Sequence, residues 1–358
     1  MSVKSGPYRE EGRYRMIEVS IIIPTYNEER FIQACLASIY GQSFPSDKME
    51  ILVIDGMSSD QTPQIVKREI EAGRTNLRLM ENPKCIQASA LNLGVQASIG
   101  KYIVRMDAHS TYDREYVEKC IKLIKDTGAD NAGGITIAKG KTRIGKAISL
   151  ALSCPFGVGN SVFRLGGIDG EAETVPFGTF PRETFEKFGL FNESLTRCED
   201  NEFNHRIKRG GGRIYMSKDI KIFYNNRETI PDIATQAHDN GLWIMFTLLM
   251  SPGSISLRHL VPLFFVSSLI GIGAAALVGF FTSVGLGFLV GLLVLELGLY
   301  FLLNLIFTLR LARKTSYHNL LFLPLIFTAM HVSYGLGSIE GIFRAPSFIL
   351  RMRDLRRV

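Results

Sequence analysis

The sequence predicts an α/β domain on an open, mostly parallel sheet, followed by helices long enough to cross a membrane. Three observations carry this. Short β-branched runs alternate with helical segments through the N-terminal half, the pattern of parallel strands joined by crossover helices. Two of those runs end on, or lead directly into, an acid (Asp55 and Asp107), and the carboxyl ends of strands are where open α/β sheets bind ligands. From Leu260 the composition turns almost wholly apolar.

Taken in order, Val19 to Pro24 reads as the first strand, with Thr25 to Glu29 a loop and helix start and Asn27 its N-cap. Glu50 to Asp55 is a second buried strand, followed by the polar turn Gly56 to Thr62 and a helix. Leu77 to Met80 is a third strand, and Ile86 to Ser98 a helix that delivers the chain to Lys101. Tyr102 to Met106 is a fourth, and a helix over about Asp113 to Asp126 leads to a strand at Asn131 to Ala138. Gly140 to Gly170 carries many glycines and polar residues and reads as a loop over the site. Order resumes at Thr174 to Pro181, with a short helix at Arg182 to Phe188 and another over Asn201 to Lys208.

Leu260 to Phe281 and Val284 to Leu309 are apolar runs of 22 and 26 residues, and a span needs about 20. A third run, Leu320 to Phe343, is interrupted by Pro324, His331 and Glu340. Ile230 to Met250 reads as an interfacial helix with Trp243 and Phe246 at the headgroup boundary. The net charge is +7, with basic residues before, between and after the apolar runs. That placement suits a membrane surface and anionic ligands, not nucleic acid. The basic Arg310-Leu311-Ala312-Arg313-Lys314 loop predicts a cytosolic N-terminal domain on a multi-pass protein of the cell membrane. A third full crossing would export the arginine-rich tail, so two or three spans stay open. Five scattered cysteines without a C-x-x-C pair predict reduced thiols. The N-terminus, polar through Arg15, gives no sign of a signal peptide.

Asp107 and His109 bring the first sharp chemical expectation. Two residues apart, they point to one side if the backbone is extended, and a carboxylate with an imidazole can hold a divalent cation. The alternative is a solvated strand end.

The stretches Ser20–Glu28 (Ser-Ile-Ile-Ile-Pro-Thr-Tyr-Asn-Glu), Val53–Asp60 (Val-Ile-Asp-Gly-Met-Ser-Ser-Asp), Asp107–His109 and Glu199–Asp200 together resemble the family 2 glycosyltransferases of Rossmann-like GT-A fold. Within them, the chain is most similar to membrane-associated succinoglycan-type exopolysaccharide glucosyltransferases, over roughly residues 17 to 245. The resemblance implies that Pro24, Thr25 and Glu28 line a nucleotide pocket and that Asp55 accepts a hydrogen bond from uracil. Asp60 would be the second acid of that motif, or simply a helix cap. Asp107, with His109, would hold Mn2+ or Mg2+ against the diphosphate. Asp200 would be the general base, with Glu199 its partner or a solvated acid. Gln236 and Trp243 fall where processive members carry Q-x-x-R-W and would contact the acceptor, although the arginine is missing; Trp243 has the competing role of interface anchor. His109 in place of an acid favours Mn2+, and Gly56 stands where a second acid is common.

The expected organisation is a polar segment (1–16), a GT-A domain (17–229), interfacial helices (230–258), a transmembrane region (259–343) and a basic tail (344–358). The implied activity is inverting, metal-dependent transfer from a nucleotide sugar, UDP-linked, to a lipid-linked glycan at a membrane. The rivals are a polyprenyl-phosphate glycosyltransferase, a processive synthase and an inactive scaffold. Sugar, linkage and oligomeric state stay open, a homo-oligomer included.

Overall fold

The computed structural model describes residues 16–282, 284–313, 315 and 321–355, with side chains through residue 350. The polar segment before residue 16 and the last residues of the basic tail lie outside the described residues. The chain runs through β1 (Val19–Thr25), α1 (Ile32–Tyr40), β2 (Met49–Asp55), α2 (Thr62–Glu71), β3 (Leu77–Glu81), α3 (Gln87–Ala97) and β4 (Tyr102–Arg105). It continues through β5 (Ser110–Tyr112), α4 (Tyr116–Thr127), β6 (Asn131–Lys139), α5 (Arg143–Ala151), α6 (Pro155–Val158) and β7 (Gly170–Glu171). Then come β8 (Thr179–Pro181), α7 (Arg182–Phe188), α8 (Glu199–Arg209), β9 (Ile214–Asn225) and α9 (Ile230–Met250). The long helices α10 (Val261–Thr282), α11 (Leu286–Ala312) and α12 (Leu323–Leu355) close the chain. Two compact units form: one is the chain through Ile135 with Ile168–Glu193 and Arg206–Phe223, the other Thr136–Gly167, Ser194–His205 and the chain from Tyr224.

The first unit is organised by β1. Its β-branched residues Val19, Ile21, Ile22 and Ile23 are buried on both faces, which is what a central parallel strand requires. Parallel pairing with β2 sets Thr25 beside Asp55, and parallel pairing with β4 sets Ile22 beside Arg105. The carboxyl ends of these strands therefore open on one edge. Among the described residues the sheet order is β3-β2-β1-β4-β8-β6-β9-β5, with β7 on β9. β8 runs antiparallel to β4, so β4 is the seam between a parallel and an antiparallel half. Helix α3 reaches β1 because Gly94 has no side chain: a Cβ there would sit 2.4 Å from Ile22 Cγ2.

In the second unit α9 lies along α12 with backbones almost touching. A Cβ on Gly241 would fall 2.0 Å from the Tyr334 carbonyl oxygen, and one on Gly337 equally close to that of His238. Ala147, Ile148, Ala151, Ile233, Ile326 and Phe327 form the core beside this pair. Helices α10 and α11 are long and apolar enough to cross a bilayer, and they turn Phe264, Leu277, Phe280, Phe288, Val294 and Leu302 outward. A core helix of a water-soluble domain would bury such residues.

Several sequence expectations change here. The third apolar run became α12, whose Ile326 and Phe327 are fully buried in the unit core; among the described residues only two helices qualify as spans. The expected interfacial helix has the bounds of α9, but Phe246 is buried, stacked on Phe348 at 4.2 Å with planes 3° apart. It faces a partner helix, not a headgroup boundary. The stretch Gly140 to Gly170, read as a loop, contains α5 and α6 and ends at the first residue of β7. Asn27 caps no helix: α1 starts at Ile32, and Asn27 takes a left-handed conformation at φ 56°.

Candidate active site

At the edge where β1, β2 and β4 end, one cavity is lined by Pro24, Thr25, Tyr26, Glu28 and Gly56 from the first two loops. Asn82, Cys85, Ile86, Gln87 and Ala90, around the start of α3, form a second wall, and Asp107 and His109 the third. Five residues singled out in the sequence therefore meet there: Pro24, Thr25, Glu28, Asp107 and His109. The backbone holds left-handed, non-glycine residues in all three loops beyond β1, β2 and β3: Asn27 (φ 56°), Met57 (φ 62°) and Cys85 (φ 54°). Such conformations cost energy and persist where the surroundings enforce them, as at ligand sites.

Asp55, 4 % exposed, lies behind the cavity and is absent from its lining. Its carboxylate accepts hydrogen bonds from Thr25 Oγ1 (3.1 Å), Ser58 Oγ (2.6 Å) and Ser58 N (2.9 Å). The loops after β1 and β2 are laced together. Asn27 N donates to Ser58 Oγ, Ser59 N to Asn27 Oδ1, Glu28 N to Thr62 Oγ1, and Gln61 N to Glu29 Oε2. Asp60 belongs to this lacing: its oxygens accept from Glu29 N, Thr62 N and Thr62 Oγ1. Burial pushes its pKa up, but those bonds outweigh it and hold the carboxyl below its ordinary 3.8. Asp60 stands one residue before Gln61, the N-cap of α2, and its contacts tie the loop after β1 to that helix start.

The expectation that Asp107 and His109 share one side of an extended strand does not hold. β4 stops at Arg105, and the chain turns, with Ser110 N donating to the Asp107 carbonyl at 3.1 Å. Both side chains still reach the cavity, because the turn is pinned. Asp107 N donates to Tyr112 Oη at 2.7 Å, and Cys35 Sγ donates to the Asp107 carbonyl at 3.6 Å. Burial first, then the Asp107 and Glu28 carboxylates, hold the Cys35 thiol far above its usual range, so it stays a donor. Asp107 itself is 8 % exposed, with Arg105 Nε 3.5 Å from Oδ1 and Gln87 Nε2 donating to the same oxygen at 3.3 Å. His109 Nδ1 lies 2.9 Å from Glu28 Oε1.

Among the described residues no three His, Cys, Asp or Glu side chains gather as a metal centre. Asp107 and His109 offer two donors, and a Mg2+ or Mn2+ site that takes its remaining ligands from a diphosphate and water needs no more. The donor set fits. Glu28 also places a carboxylate at one ring nitrogen of His109, the kind of contact that would fix the tautomer of a ligating histidine. Glu28, Gln87 and Arg105 escaped sequence reading as a group, since they approach Asp107 and His109 from three different segments.

The other candidates belong to the second unit. Glu199 and Asp200 open α8 after Cys198, itself left-handed at φ 63°. Glu199 is buried, whereas Asp200 is half-buried and accepts from Asn201 N at 2.8 Å. Gln236 Nε2 donates to Tyr224 Oη at 3.1 Å. Trp243 packs edge-on against Phe246 at 5.3 Å and Phe348 at 6.2 Å.

Residues 20–169 match the family model described as glycosyl transferase family 2. This stretch contains every residue that lines the cavity. The chain carries a family 2 glycosyltransferase domain. The succinoglycan biosynthesis protein ExoA of Rhizobium meliloti is 29 % identical over 246 residues, 68 % of this chain and 74 % of that protein. A Methanococcus voltae enzyme is 24 % identical over 336 residues, 92 % of this chain and 98 % of its own. Its name is dolichyl N-acetyl-alpha-D-glucosaminyl phosphate 3-beta-D-2,3-diacetamido-2,3-dideoxy-beta-D-glucuronosyltransferase. Among solved structures, the mannosyltransferase PcManGT of Pyrobaculum calidifontis superposes with a TM-score of 0.59 at 20 % identity, covering 91 % of this chain and 87 % of that one. The glycosyltransferase thus has a GT-A-like α/β fold with two apolar C-terminal helices that could span a membrane.

Proposed function

We propose that this glycosyltransferase inverts the anomeric centre of a UDP-linked sugar and transfers it to a lipid-linked glycan at the inner face of a membrane. The observation that carries the reading is the meeting of Pro24, Thr25, Glu28, Asp107 and His109 in one cavity at the strand ends. Asp55 would fix the base end, through the hydrogen-bonded loop around Ser58. Asp107 and His109 would hold Mn2+ or Mg2+, which when bound neutralises the diphosphate leaving group without proton transfer. The mannosyltransferase PcManGT was solved with Mn2+, in keeping with such a role.

Asp200 would take the acceptor hydroxyl's proton. It stands in the first turn of α8, where its carboxylate could be presented from the helix start. Glu199, buried beside it, would position that turn. Transfer with inversion from a nucleotide donor needs one such carboxylate, whereas a glycoside hydrolase would need a second across the sugar. Gln236 and Trp243 would stand on the acceptor side. The exposed apolar faces of α10 and α11 support membrane insertion, with the catalytic domain in the cytosol.

The Methanococcus voltae relative's name describes transfer to a sugar already joined to dolichyl phosphate. That supports a sugar hydroxyl as acceptor over the rival in which the lipid phosphate itself attacks. The deciding experiment incubates the purified full chain with a panel of sugar nucleotides, Mn2+ and a membrane lipid extract, and identifies lipid products by mass spectrometry. A glycolipid one sugar longer, formed from one UDP-sugar, is expected. Product only as a polyprenyl phosphate sugar would replace this reading with the rival, and free sugar alone would remove both.

A further inference from the structure

Arg164 ends a short 3-10 turn (Val162–Arg164) in the second unit. Its guanidinium lies 5.5 Å over the Tyr224 ring and 5.6 Å over that of Phe163. Nη1 is buried without a hydrogen-bond partner, and among the described residues the group makes no ion pair. Burial lowers its pKa, opposed only by Tyr224. A half-buried cation without a counter-charge loses part of its solvation, and two aromatic faces recover only some of it. The hydroxyl of the same Tyr224 accepts from Gln236, so a cation and an amide meet at one phenol ring.

The segment that carries Arg164 is fastened to the base of the apolar helices. Arg258, three residues before α10, donates from Nη1 to Asn160 Oδ1 at 3.2 Å, and a Cβ on Gly159 would lie 3.2 Å from the Arg258 Cβ. His331 Nε2 of α12 is 2.8 Å from the Phe156 carbonyl oxygen. These ties hold residues 156–160 against the N-terminal end of the candidate span Leu257–Thr282, where a lipid headgroup would come within reach if that helix crosses a bilayer.

We propose that Arg164, with Tyr224 and Gln236, binds the phosphoryl group of a membrane lipid, the anion that its unpaired guanidinium lacks. A guanidinium fork matches two phosphate oxygens. The proposal rests on the lipid-linked acceptor reading above. The phosphate is either the one that joins an acceptor glycan to its polyprenyl chain or that of an ordinary headgroup, and the test separates them.

Full-length protein is reconstituted in phosphatidylcholine nanodiscs that contain polyprenyl phosphate, phosphatidylglycerol or neither. Lipid retained on release is read by native mass spectrometry, with no sugar nucleotide present, so binding is scored whether or not transfer to lipid occurs. Wild type should retain an anionic lipid about tenfold or more over Arg164→Met, with Arg164→Lys between them, as befits one charge-assisted bidentate contact. Selective retention of polyprenyl phosphate identifies the acceptor's phosphate; equal retention of phosphatidylglycerol identifies a headgroup. In neutral nanodiscs Arg164→Met should melt near the wild-type temperature, since the guanidinium makes no ion pair that the change would break. Equal retention by wild type and Arg164→Met overturns the proposal, as does a marked fall in melting temperature for both variants, which would make Arg164 a structural residue.

Discussion

The contact between Glu28 and His109 allows a perturbation whose size and sign can be worked out beforehand. Glu28 Oε1 is 2.9 Å from His109 Nδ1, and the two side chains are 18 % and 30 % exposed. With Nδ1 committed to the carboxylate, a metal would be taken by Nε2, and Glu28 sets that tautomer. A charge-assisted hydrogen bond is worth about 1.5–3 kcal/mol, and solvent at this exposure brings it to roughly the lower figure. Glu28→Gln should then raise the Mn2+ concentration for half-maximal transfer about tenfold, with turnover at saturating Mn2+ little changed. The assay is UDP release against Mn2+ concentration, paired with calorimetric Mn2+ binding in the presence of UDP. The double change supplies the sign test. His109→Asp keeps a metal donor but sets two carboxylates against each other, so in that background Glu28→Gln should tighten Mn2+ instead of weakening it, with preference moving toward Mg2+. An unchanged Mn2+ response in Glu28→Gln, with UDP affinity lost instead, would show that Glu28 serves the nucleotide and not the histidine.

Three further outcomes follow from other parts of the molecule. Asp200→Asn keeps a hydrogen-bonding group at the start of α8 but removes the base, so turnover should fall about 10²-fold or more, with UDP binding and melting temperature unchanged; a near-wild-type rate would favour a phosphate acceptor. Gly241→Leu forces a side chain into the Tyr334 carbonyl at the α9–α12 contact and should destabilise the detergent-solubilised protein by about 1–3 kcal/mol or more, read as a lower melting temperature. Burial raises the Glu228 pKa, but bonds from Lys141 N, Thr142 Oγ1 and Thr142 N outweigh it and leave the carboxyl below 4.5. Its stabilisation is complete above that value and is lost as pH falls through the lower folded-state pKa, so stability curves of wild type and Glu228→Gln should converge in acid.

What was legible in the sequence is what local physics determines. β1, β2 and β4 announce themselves because a strand buried on both faces has to be β-branched or apolar along its length, and the ends of those strands name the pocket. The turn at Asp107 was misread because nothing in Asp-Ala-His forbids extension; Tyr112 and Cys35, from two other elements, impose the bend. Asn27 looked like a cap because caps and left-handed clasps choose the same residue type. Helix α5 was hidden among glycines, one of which, Gly145, leaves room for the Glu228 side chain. Phe246 has the composition of an interface anchor, and only the presence of Phe348 across the α9–α12 contact turns it inward. Glu28 and His109 are 81 residues apart, a separation across which spacing says nothing.

The lacing between the loops that follow β1 and β2 makes the pocket behave as a lever with two arms. Asp55 holds Ser58, Ser58 receives the amide of Asn27, and the next residue, Glu28, touches His109. On the proposed assignment the base of the nucleotide presses on one arm and the diphosphate rests on the other. A wrong base would then be penalised twice, once on entry and again by a histidine set askew, so discrimination would persist at saturating donor. Discrimination of this kind would need no moving domain and no second site, only the short run of hydrogen-bonded side chains between Asp55 and His109.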